Sequence, residues 1–528
     1  MRNLYYIPQS KKEKDPDSAS EFRNKPLKQW IKKLPTANHG MTTRLFHDRI
    51  REMNGIEIPA EDRLEALENL YSTFAIIDEF LVSRVIGKSI PLSADEQKIG
   101  DLAEAINQNF LVGYVAVLEE LSRSSVGWRF ARQLPGVIGR LIHGLSRVLI
   151  IRYILRIPEP EWVWLDLHSL YQLAERKNKC DVKIKNSDQS SSTTIRCLYK
   201  QILLLRLLEP DGLTQKEILK IYNRLEEWCS HVSFTEGEAS NSVNQWWIIL
   251  DEDKPAISLF DPEQEDEKDL RVMSFDMKDF ISVLQNLKNR ADRTIGRFDL
   301  ISVTDQALPE SAAALLEYLI ERAAGKVASR EMVFEDKKPR LLSIGLKATH
   351  QQLNLPTNAD EKIIGDWLVT VNDDYSLRCE FDQPGQLFLG SLVSLKRVDL
   401  ESGRRVLGIV NKIWMRRLDG AVHFDIALLS PQVMAAGIQP LRAKKDLQIY
   451  QRVLLFFVDT GEGQQPRLIL ESQKLKGGNM VQLLTQNESV RVILENRRNV
   501  GPGYSLFECI PRADDQQEIL PPKGYDFL

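Results

Sequence analysis

Hydrophobic residues recur every three or four positions from about residue 40 to residue 325. Two segments show the spacing clearly, with apolar positions at Leu64, Leu67, Tyr71, Phe74 and Ile77, and at Leu102, Ile106, Phe110, Tyr114 and Val117. This spacing is typical of helices with one buried face. Ser93–Glu96 and Thr214–Glu217 have the form of capping boxes, which mark helix starts. The pattern predicts an all-α, repeat-like array of helices.

Two stretches interrupt the helical pattern. The polar run 185–194 predicts a loop, and residues 244–260 alternate like a short β-hairpin. The residues that follow, up to 269, are strongly acidic. We interpret them as a solvated loop in preference to a partner-binding strip, because blocks of like charge usually only solvate the chain.

The most apolar segment, residues 134–155, is interrupted by four basic or titratable side chains. They are Arg140, His143, Arg147 and Arg152. Each is costly in hydrocarbon, so we expect no membrane insertion here. The segment predicts a buried helix of a globular domain.

After Gly325 the hydrophobic period changes from 3.6 to 2, which indicates strands. The candidate strands are RLLSIGLKA, GDWLVTVN, YSLRCEF, SLVSLKRV, RVLGIVNKIWMRR, AVHFDIALLS, QRVLLFFVD, PRLILES and SVRVILENRR. Their even spacing, with Gly and Asp at the turns, predicts an antiparallel barrel or two small barrels in series.

These patterns predict an α+β multidomain protein. We expect a disordered polar arm at 1–40, an α-helical platform at 41–325 with its β excursion near 244–260, a β-barrel at 326–440, and a C-terminal β subdomain at 441–528. A chain of 528 residues is long enough for two to four domains of about 100 to 200 residues.

Composition narrows the class of protein. The chain is 43% hydrophobic and 27% charged, with a formal net charge of −4, which gives no whole-chain reason to expect nucleic-acid or membrane binding. The first residues lack the apolar run of a signal peptide, and the five cysteines are odd in number and form no Cys-x-x-Cys pair. We therefore expect a cytoplasmic protein with reduced thiols. The scattered histidines predict no metal site.

A locally basic meander at 396–417 carries the candidate chemistry. Lys412, Trp414 and Arg416 alternate along one strand and would share a face, with Arg417 beside them. Guanidinium forks bind phosphate oxygens or a guanine edge, and an indole stacks on a flat base. These residues therefore suit a ligand that carries both phosphate and a base. The alternative is a half-exposed barrel face whose tryptophan packs under arginine stems.

The order GSLVSLKR, then RVLGIVNKIWMRRLDGAVHFDIALLSP, preceded by RLLSIGLKATHQQL, resembles the barrel of atypical PilZ-domain proteins, a bacterial receptor family for cyclic di-GMP. The stretches LIIRYILRIPEPEWVWLDLHSLYQLAER and CLYKQILLLRLLEPDGLTQKEILKIYNRLEEWC are similar to the long helical N-terminal region of certain large PilZ-containing proteins. The resemblance covers most of residues 45 to 515. It implies a PilZ-like barrel and a regulatory dinucleotide.

The resemblance also implies ligand-binding positions, and several of them are altered. The family's Arg-x-x-x-Arg motif has Arg330 in its first place but Phe334 in its second. The Asp/Asn-x-Ser-x-x-Gly motif has Asn372 in its first place, but Asp374 replaces Ser and Leu377 replaces Gly. A carboxylate would repel phosphate, and a leucine would block close backbone approach. In this degenerate site Lys412, Arg416 and Arg417 would supply much of the charge.

Two functions follow from these observations. The first is a bacterial signalling adaptor that binds a protein partner through its helical platform and senses cyclic di-GMP, with no other cofactor. The second is a structural interaction scaffold with a ligand-free barrel. We expect no enzyme, because the sequence has no Gly-rich phosphate loop and no Gly-x-Ser-x-Gly elbow.

Overall fold

The computed structural model describes residues 12–122, 127–185, 192–236, 245–258, 271–293, 309–325, 334–354, 365–372, 375–400, 404–416, 420–441, 450–461, 463–471, 475–486 and 488–511. The chain divides into two compact units. The first comprises residues 1–87, 92–289 and 316–327, and the second comprises residues 88–91, 290–315 and 328–528. The first unit is mainly helical and the second mainly β, so the predicted α+β multidomain class is confirmed.

The helices are α1 (Pro16–Ser20), α2 (Asn24–Lys32), α3 (His39–Gly55), α4 (Ala60–Val85), α5 (Ala94–Leu121), α6 (Trp128–Ala131), α7 (Leu134–Leu155), α8 (Val163–Arg176), α9 (Ile195–Leu207), α10 (Gln215–Trp228), α11 (Lys278–Arg293), α12 (Pro309–Ala323) and α13 (Leu346–Leu353). Both predicted capping boxes are confirmed, at the first turns of α5 and α10.

The strands are β1 (Lys183–Lys185), β2 (Ser192–Thr194), β3 (Phe234–Glu236), β4 (Gln245–Ile249), β5 (Val272–Asp276), β6 (Arg340–Ile344), β7 (Trp367–Val371), β8 (Ser376–Cys379), β9 (Leu392–Arg397), β10 (Val406–Met415), β11 (Val422–Ser430), β12 (Met434–Pro440), β13 (Gln451–Asp459), β14 (Gln464–Leu470), β15 (Met480–Leu484), β16 (Ser489–Gly501) and β17 (Tyr504–Pro511).

Helix α7 packs against α4, α5, α8, α9 and α10 in the interior of the first unit. Its arginines pair with acidic residues of α4 and α5 instead of facing solvent. The pairs are Arg140–Glu68, Arg147–Asp78 and Arg152–Glu104, with N···O distances of 2.8, 2.5 and 2.7 Å. By length and composition α7 is apolar enough to cross a membrane, and 67% of its most apolar window is buried inside the fold. A core helix has the same properties.

The N-terminal segment corrects one prediction. Residues 1–40 are predicted to be disordered, but α1 and α2 lie within them. Asp15 caps α1 through the amides of Asp17 and Ser18. The side chains of Phe22 and Leu27 are fully buried. Apolar burial therefore orders a segment whose overall composition is polar.

The cysteines correct a second prediction. Cys197 and Cys229 form a disulfide, whereas reduced thiols are predicted for all five cysteines. The two residues lie at nearly equal distances along the chain from the turn at Pro210–Gly212 that joins α9 to α10. Packing of α9 against α10 therefore brings them together. Cys180, Cys379 and Cys509 are free and buried.

A small sheet completes the first unit. Its strand order is β3-β5-β4. Trp247 on β4 also exchanges two backbone hydrogen bonds with Ile257, each 2.8 Å long, so extended chain pairs with β4 within residues 245–258. Most of the acidic run that follows lies outside the described residues, as does most of the polar loop at 185–194.

Two closed six-stranded barrels form the core of the second unit, and all their strand pairs are antiparallel. The first has the order β10-β11-β8-β7-β6-β9, and the second has the order β12-β13-β14-β17-β16-β15. The predicted boundary at 440 is wrong, because β12 pairs with β13 and β15 and so belongs to the second barrel. The boundary lies between Ser430 and Met434.

One predicted strand contains a helix. In RLLSIGLKA the strand β6 ends at Ile344, and α13 begins at Leu346. Gly345 has a φ of +87°, a conformation that side chains rarely adopt, and it turns the chain from strand to helix. Helix α13 then packs on β6 and β9 of the first barrel and on β12 and β13 of the second. A hydrophobic cluster that includes Leu346, Leu392 and Phe456 joins the two barrels.

The imidazole of His168 on α8 provides a pH-dependent contribution to stability. It is fully buried, accepts a hydrogen bond from the Tyr199 hydroxyl at 2.6 Å, and donates one to the Lys254 carbonyl at 2.9 Å. Burial lowers its pKa to about 4. The unfolded chain therefore binds more protons below about pH 6.5, and stability is lost as the pH falls from about 6.5 towards 4.

When the pH falls from 7.5 to 5.5, we expect the linkage to this imidazole to lower the free energy of unfolding by about 1.3 kcal/mol. Urea unfolding followed by tryptophan fluorescence measures it, since seven of the nine tryptophans lie in the first unit. His168→Gln should reduce the pH dependence by that amount, while His231→Gln, at an exposed position, should leave it unchanged. Equal pH dependence in wild type and His168→Gln would contradict a neutral buried imidazole.

Candidate ligand site on the first barrel

Polar side chains lie on the outer face of three adjacent strands, β10, β11 and β8. In one row Trp414 lies opposite His423, which lies opposite Arg378. In the next row Lys412 lies opposite Asp425, which lies opposite Ser376. We call these six residues the outer strip.

The intervening residues of these strands point the other way. Ile413, Leu377 and Phe424 are almost completely buried, as expected for the barrel interior. Cys379 is also interior, and burial raises the pKa of its thiol to about 12, so it stays protonated at neutral pH. The apolar interior and the polar strip therefore lie on opposite faces of the same strands.

A β-bulge in β10 decides which residues face outward. The register shifts between Val410 and Lys412, so that Asn411 is an extra residue in the strand. An uninterrupted alternation from Val410, which is buried, would turn Lys412 and Trp414 inward. With the bulge, Ile413 faces the interior and Lys412 and Trp414 face outward.

The Trp414 indole is half-buried and lies between neighbouring polar groups. Its ring stacks on the His423 imidazole, with ring centroids 5.7 Å apart and an interplanar angle of 24°. The Lys412 ammonium lies 5.7 Å from the indole centroid, within cation–π range. His423 is itself fully buried. These contacts hold the indole in one orientation.

The charges of the strip are partly compensated. Arg378 forms an ion pair with Glu380, and Lys412 lies across from the buried carboxylate of Asp425. Arg416 follows the end of β10, is exposed, and forms no ion pair within the described part of the chain. Among the described residues of the strip and its edge, Arg416 is therefore an exposed cation that an anionic ligand could contact.

The structure places four of the six predicted site residues. Lys412 and Trp414 lie together in the outer strip, and Arg416 directly follows the end of β10. Asn372 lies at the far end of the strip, where its amide group donates to the Ser376 hydroxyl at 3.2 Å. Arg330 and Arg417 lie outside the described residues, as does Asp374.

Two altered motif positions have structural roles. Phe334 is 1% exposed, and the Arg340 guanidinium lies 4.7 Å from its ring centroid. Arg340 is also buried and pairs with Asp336 at 2.7 Å, so it is not available to replace the missing arginine. Leu377 points into the barrel, so it does not project over the outer strip as the sequence-based interpretation required.

Sequence reasoning missed the residues supplied by β11 and β8. His423, Asp425 and Arg378 belong to the strip, but they were not among the predicted site residues. The alternation in AVHFDIALLS contains the signal, because His423 and Asp425 alternate with Val422 and Phe424. Placing them beside Trp414 requires the strand register, which alternation alone does not give.

Comparison with known proteins points to one kind of receptor. Residues 25–239 match the family described as "Cyclic-di-GMP receptor FimW, N-terminal domain". The chain is 24% identical over 555 aligned positions to the "Cyclic-di-GMP receptor FimW" of Pseudomonas aeruginosa, an alignment that covers 92% of this chain and 90% of that protein. No solved structure matches the chain. The family match falls within the helical region, whereas the longer alignment includes the barrels.

Proposed function

We propose that this chain is a receptor for cyclic di-GMP that acts as a signalling adaptor and not as an enzyme. The observation that carries the proposal is the similarity, over nearly the whole length of both chains, to a protein described as a cyclic-di-GMP receptor. The local chemistry agrees with it, because an oriented indole beside an exposed guanidinium suits a base and a phosphate.

The dinucleotide would bind at the outer strip of a PilZ-like barrel. A guanine base would stack on the free part of Trp414, and Arg416 and Lys412 would contact phosphate oxygens. Asn372 would offer an amide at the far end of the strip. The helical unit would bind the protein partner, and neither nucleic acid nor a membrane is part of this proposal.

We place the protein in the cytoplasm, where a receptor can meet a nucleotide second messenger. The Cys197–Cys229 disulfide weighs against this location, because thiols are usually kept reduced there. A count of reactive thiols in protein purified without reductant measures this directly. Five thiols under denaturing conditions would remove the objection.

A structural scaffold with a ligand-free barrel is the second candidate. The observation that favours it is the burial of Phe334 where the PilZ pattern has an arginine. Arg340, the buried arginine beside Phe334, forms an ion pair with Asp336. The usual pair of phosphate-binding guanidinium groups is therefore not formed by the described residues.

Calorimetric titration of cyclic di-GMP into the full chain separates the two candidates. We expect saturable heat at micromolar dinucleotide and none with GTP, which carries the same base but a different phosphate arrangement. No heat at millimolar cyclic di-GMP would contradict the receptor and leave the scaffold. An equal response to GTP would indicate a general nucleotide site instead of a receptor for the dinucleotide.

A further inference from the structure

A pocket in the first unit lies apart from the barrel strip. Its volume is about 540 Å³, within the range of small-molecule sites. Residues of α4, α7, α9 and α10 and of the β1–β2 hairpin line it. Its ionisable lining includes three cations, Arg132, Arg140 and Lys183, and two carboxylates, Glu68 and Glu226.

One ion pair in the lining is already satisfied. Arg140 donates to both carboxylate oxygens of Glu68, at 3.1 and 2.8 Å, and Tyr114 donates to the same carboxylate at 2.8 Å. The Arg140 guanidinium also lies 3.6 Å from the Tyr71 ring centroid. These groups form a rigid wall. Arg132 and Lys183 line the same pocket and form no ion pair with the described acidic residues.

The first turn of α7 forms another part of the wall. Gln133, Pro135 and Gly136 line the pocket, and no side chain caps this helix start. The first amides of a helix lack intrahelical partners and carry the positive end of the helix dipole, so they attract anions. Pro135 has no N–H and the Gln133 amide donates to the Phe130 carbonyl, so Gly136 supplies the available amide among these three residues. A Cβ atom built on Gly136 meets nothing within 4 Å, which leaves open space in front of this amide.

One buried hydroxyl in the lining has no hydrogen-bond partner within the described residues. Thr193 Oγ1 is inaccessible to solvent, and the residue is 7% exposed. The Tyr222 hydroxyl lies at Ser146, whose hydroxyl can accept a hydrogen bond from it while donating to the Ile142 carbonyl. Leaving a buried polar atom unpaired costs about 1 to 3 kcal/mol, so such atoms usually have a ligand or water partner. Thr193 and Tyr222 both line this pocket.

An exposed aromatic residue lies next to the pocket. Trp128 is 61% exposed, and the guanidinium groups of Arg132 and Arg129 lie 4.3 and 5.6 Å from its ring centroid. Arg132 is itself a lining residue. An indole fixed by two guanidinium groups is a platform for a flat ring, and the same guanidinium groups bind phosphate.

We propose that this pocket binds a small organic phosphate of nucleotide type. The phosphate would lie at the first turn of α7 between Arg132 and Lys183, and a planar ring would lie against Trp128. Thr193, Tyr222 and Glu226 would hydrogen-bond the sugar or base. This second ligand site stands independently of the outer strip and of the assignment of cyclic di-GMP to it.

Titration of the full chain with GMP, and separately with cyclic di-GMP, tests this proposal. Gly136→Leu fills the space in front of the α7 amides, and Lys183→Glu reverses one phosphate contact. We expect each change to weaken GMP binding about tenfold or more, while the control Lys98→Glu, an exposed charge reversal on α5, leaves it unchanged. Thermal melting of each variant checks that the fold is intact.

The outcomes separate the two sites. GMP binding that is lost in Gly136→Leu but kept in a Trp414→Ala variant supports the pocket. Loss of cyclic di-GMP binding in Gly136→Leu also supports it, and moves the dinucleotide from the barrel to the helical unit. The proposal is overturned if Gly136→Leu and Lys183→Glu bind both probes as the wild type does. It is also overturned if the wild type gives no heat with millimolar GMP or cyclic di-GMP.

Discussion

Replacing Trp164 with alanine should destabilise the helical unit by about 3 to 5 kcal/mol, the range seen when buried aromatic residues are truncated. The side chain is only 1% exposed, and its indole N–H donates to Glu159 Oε2 at 2.6 Å. The change removes a large buried apolar surface and leaves a cavity at the start of α8. We would measure it by urea unfolding followed by circular dichroism at 222 nm.

Two further variants separate burial from hydrogen bonding. Trp164→Phe keeps most of the apolar volume but removes the N–H, so we expect a loss of about 1 to 3 kcal/mol. Trp128→Ala removes the same side chain at an exposed position and should cost less than about 1 kcal/mol. A Trp164→Ala variant no less stable than Trp128→Ala would show that the indole does not support the core.

Trp162 and Trp164 are two positions apart and would lie on different faces of a helix, and this spacing does not tell which of them is buried. That choice depends on contacts made far along the chain. Asp253 Oδ1 accepts hydrogen bonds from the amides of Trp164 and Leu165, at 2.9 and 3.0 Å, and so caps the start of α8. A cap supplied from 88 residues away leaves no signal near the helix itself. Local capping boxes such as Ser93–Glu96, in contrast, were predicted correctly.

The barrel strands also differ in whether the local sequence predicts them. Strands rich in large apolar residues, such as β10, β11 and β13, were found from the hydrophobic pattern. Three strands were missed: β12 is rich in Ala and Gly, β15 has five residues, and β17 has eight. Sheet closure recruits them, because β12 completes the second barrel between β13 and β15. Tertiary pairing thus overrides a weak local preference.

The two candidate sites also differ in how far the sequence reveals them. Trp414 and Arg416 could be identified from one strand, because alternate residues share a face. Trp128, Arg129 and Arg132 show similar chemistry in WRFARQLPG, two to six residues before α7 begins at Leu134, and they were missed. The other half of that pocket comes from β1, β2 and α10, whose proximity is set by helix packing. No periodicity encodes that proximity.

Replacing Trp414 and Arg416 together with alanine should weaken cyclic di-GMP binding at least about 30-fold, because one stacked base and one guanidinium fork each contribute about 1 to 3 kcal/mol. The melting temperature should change little, since Arg416 is exposed and the indole is half-buried on the outer face. Calorimetric titration of the full chain measures the affinity. Trp414→Phe keeps a ring on the strip and should retain most of it.

Arg491→Ala is the matched control, because Arg491 is an exposed arginine on β16 of the second barrel. Arg491→Ala removes a positive charge without changing the strip. If loss of positive charge alone weakened binding, Arg491→Ala and the double variant would lose affinity alike. Equal affinity in the double variant and in Arg491→Ala would move the dinucleotide away from the outer strip. Combined with loss of binding in Gly136→Leu, that result would assign the dinucleotide to the helical unit, and the barrels would then serve a structural role.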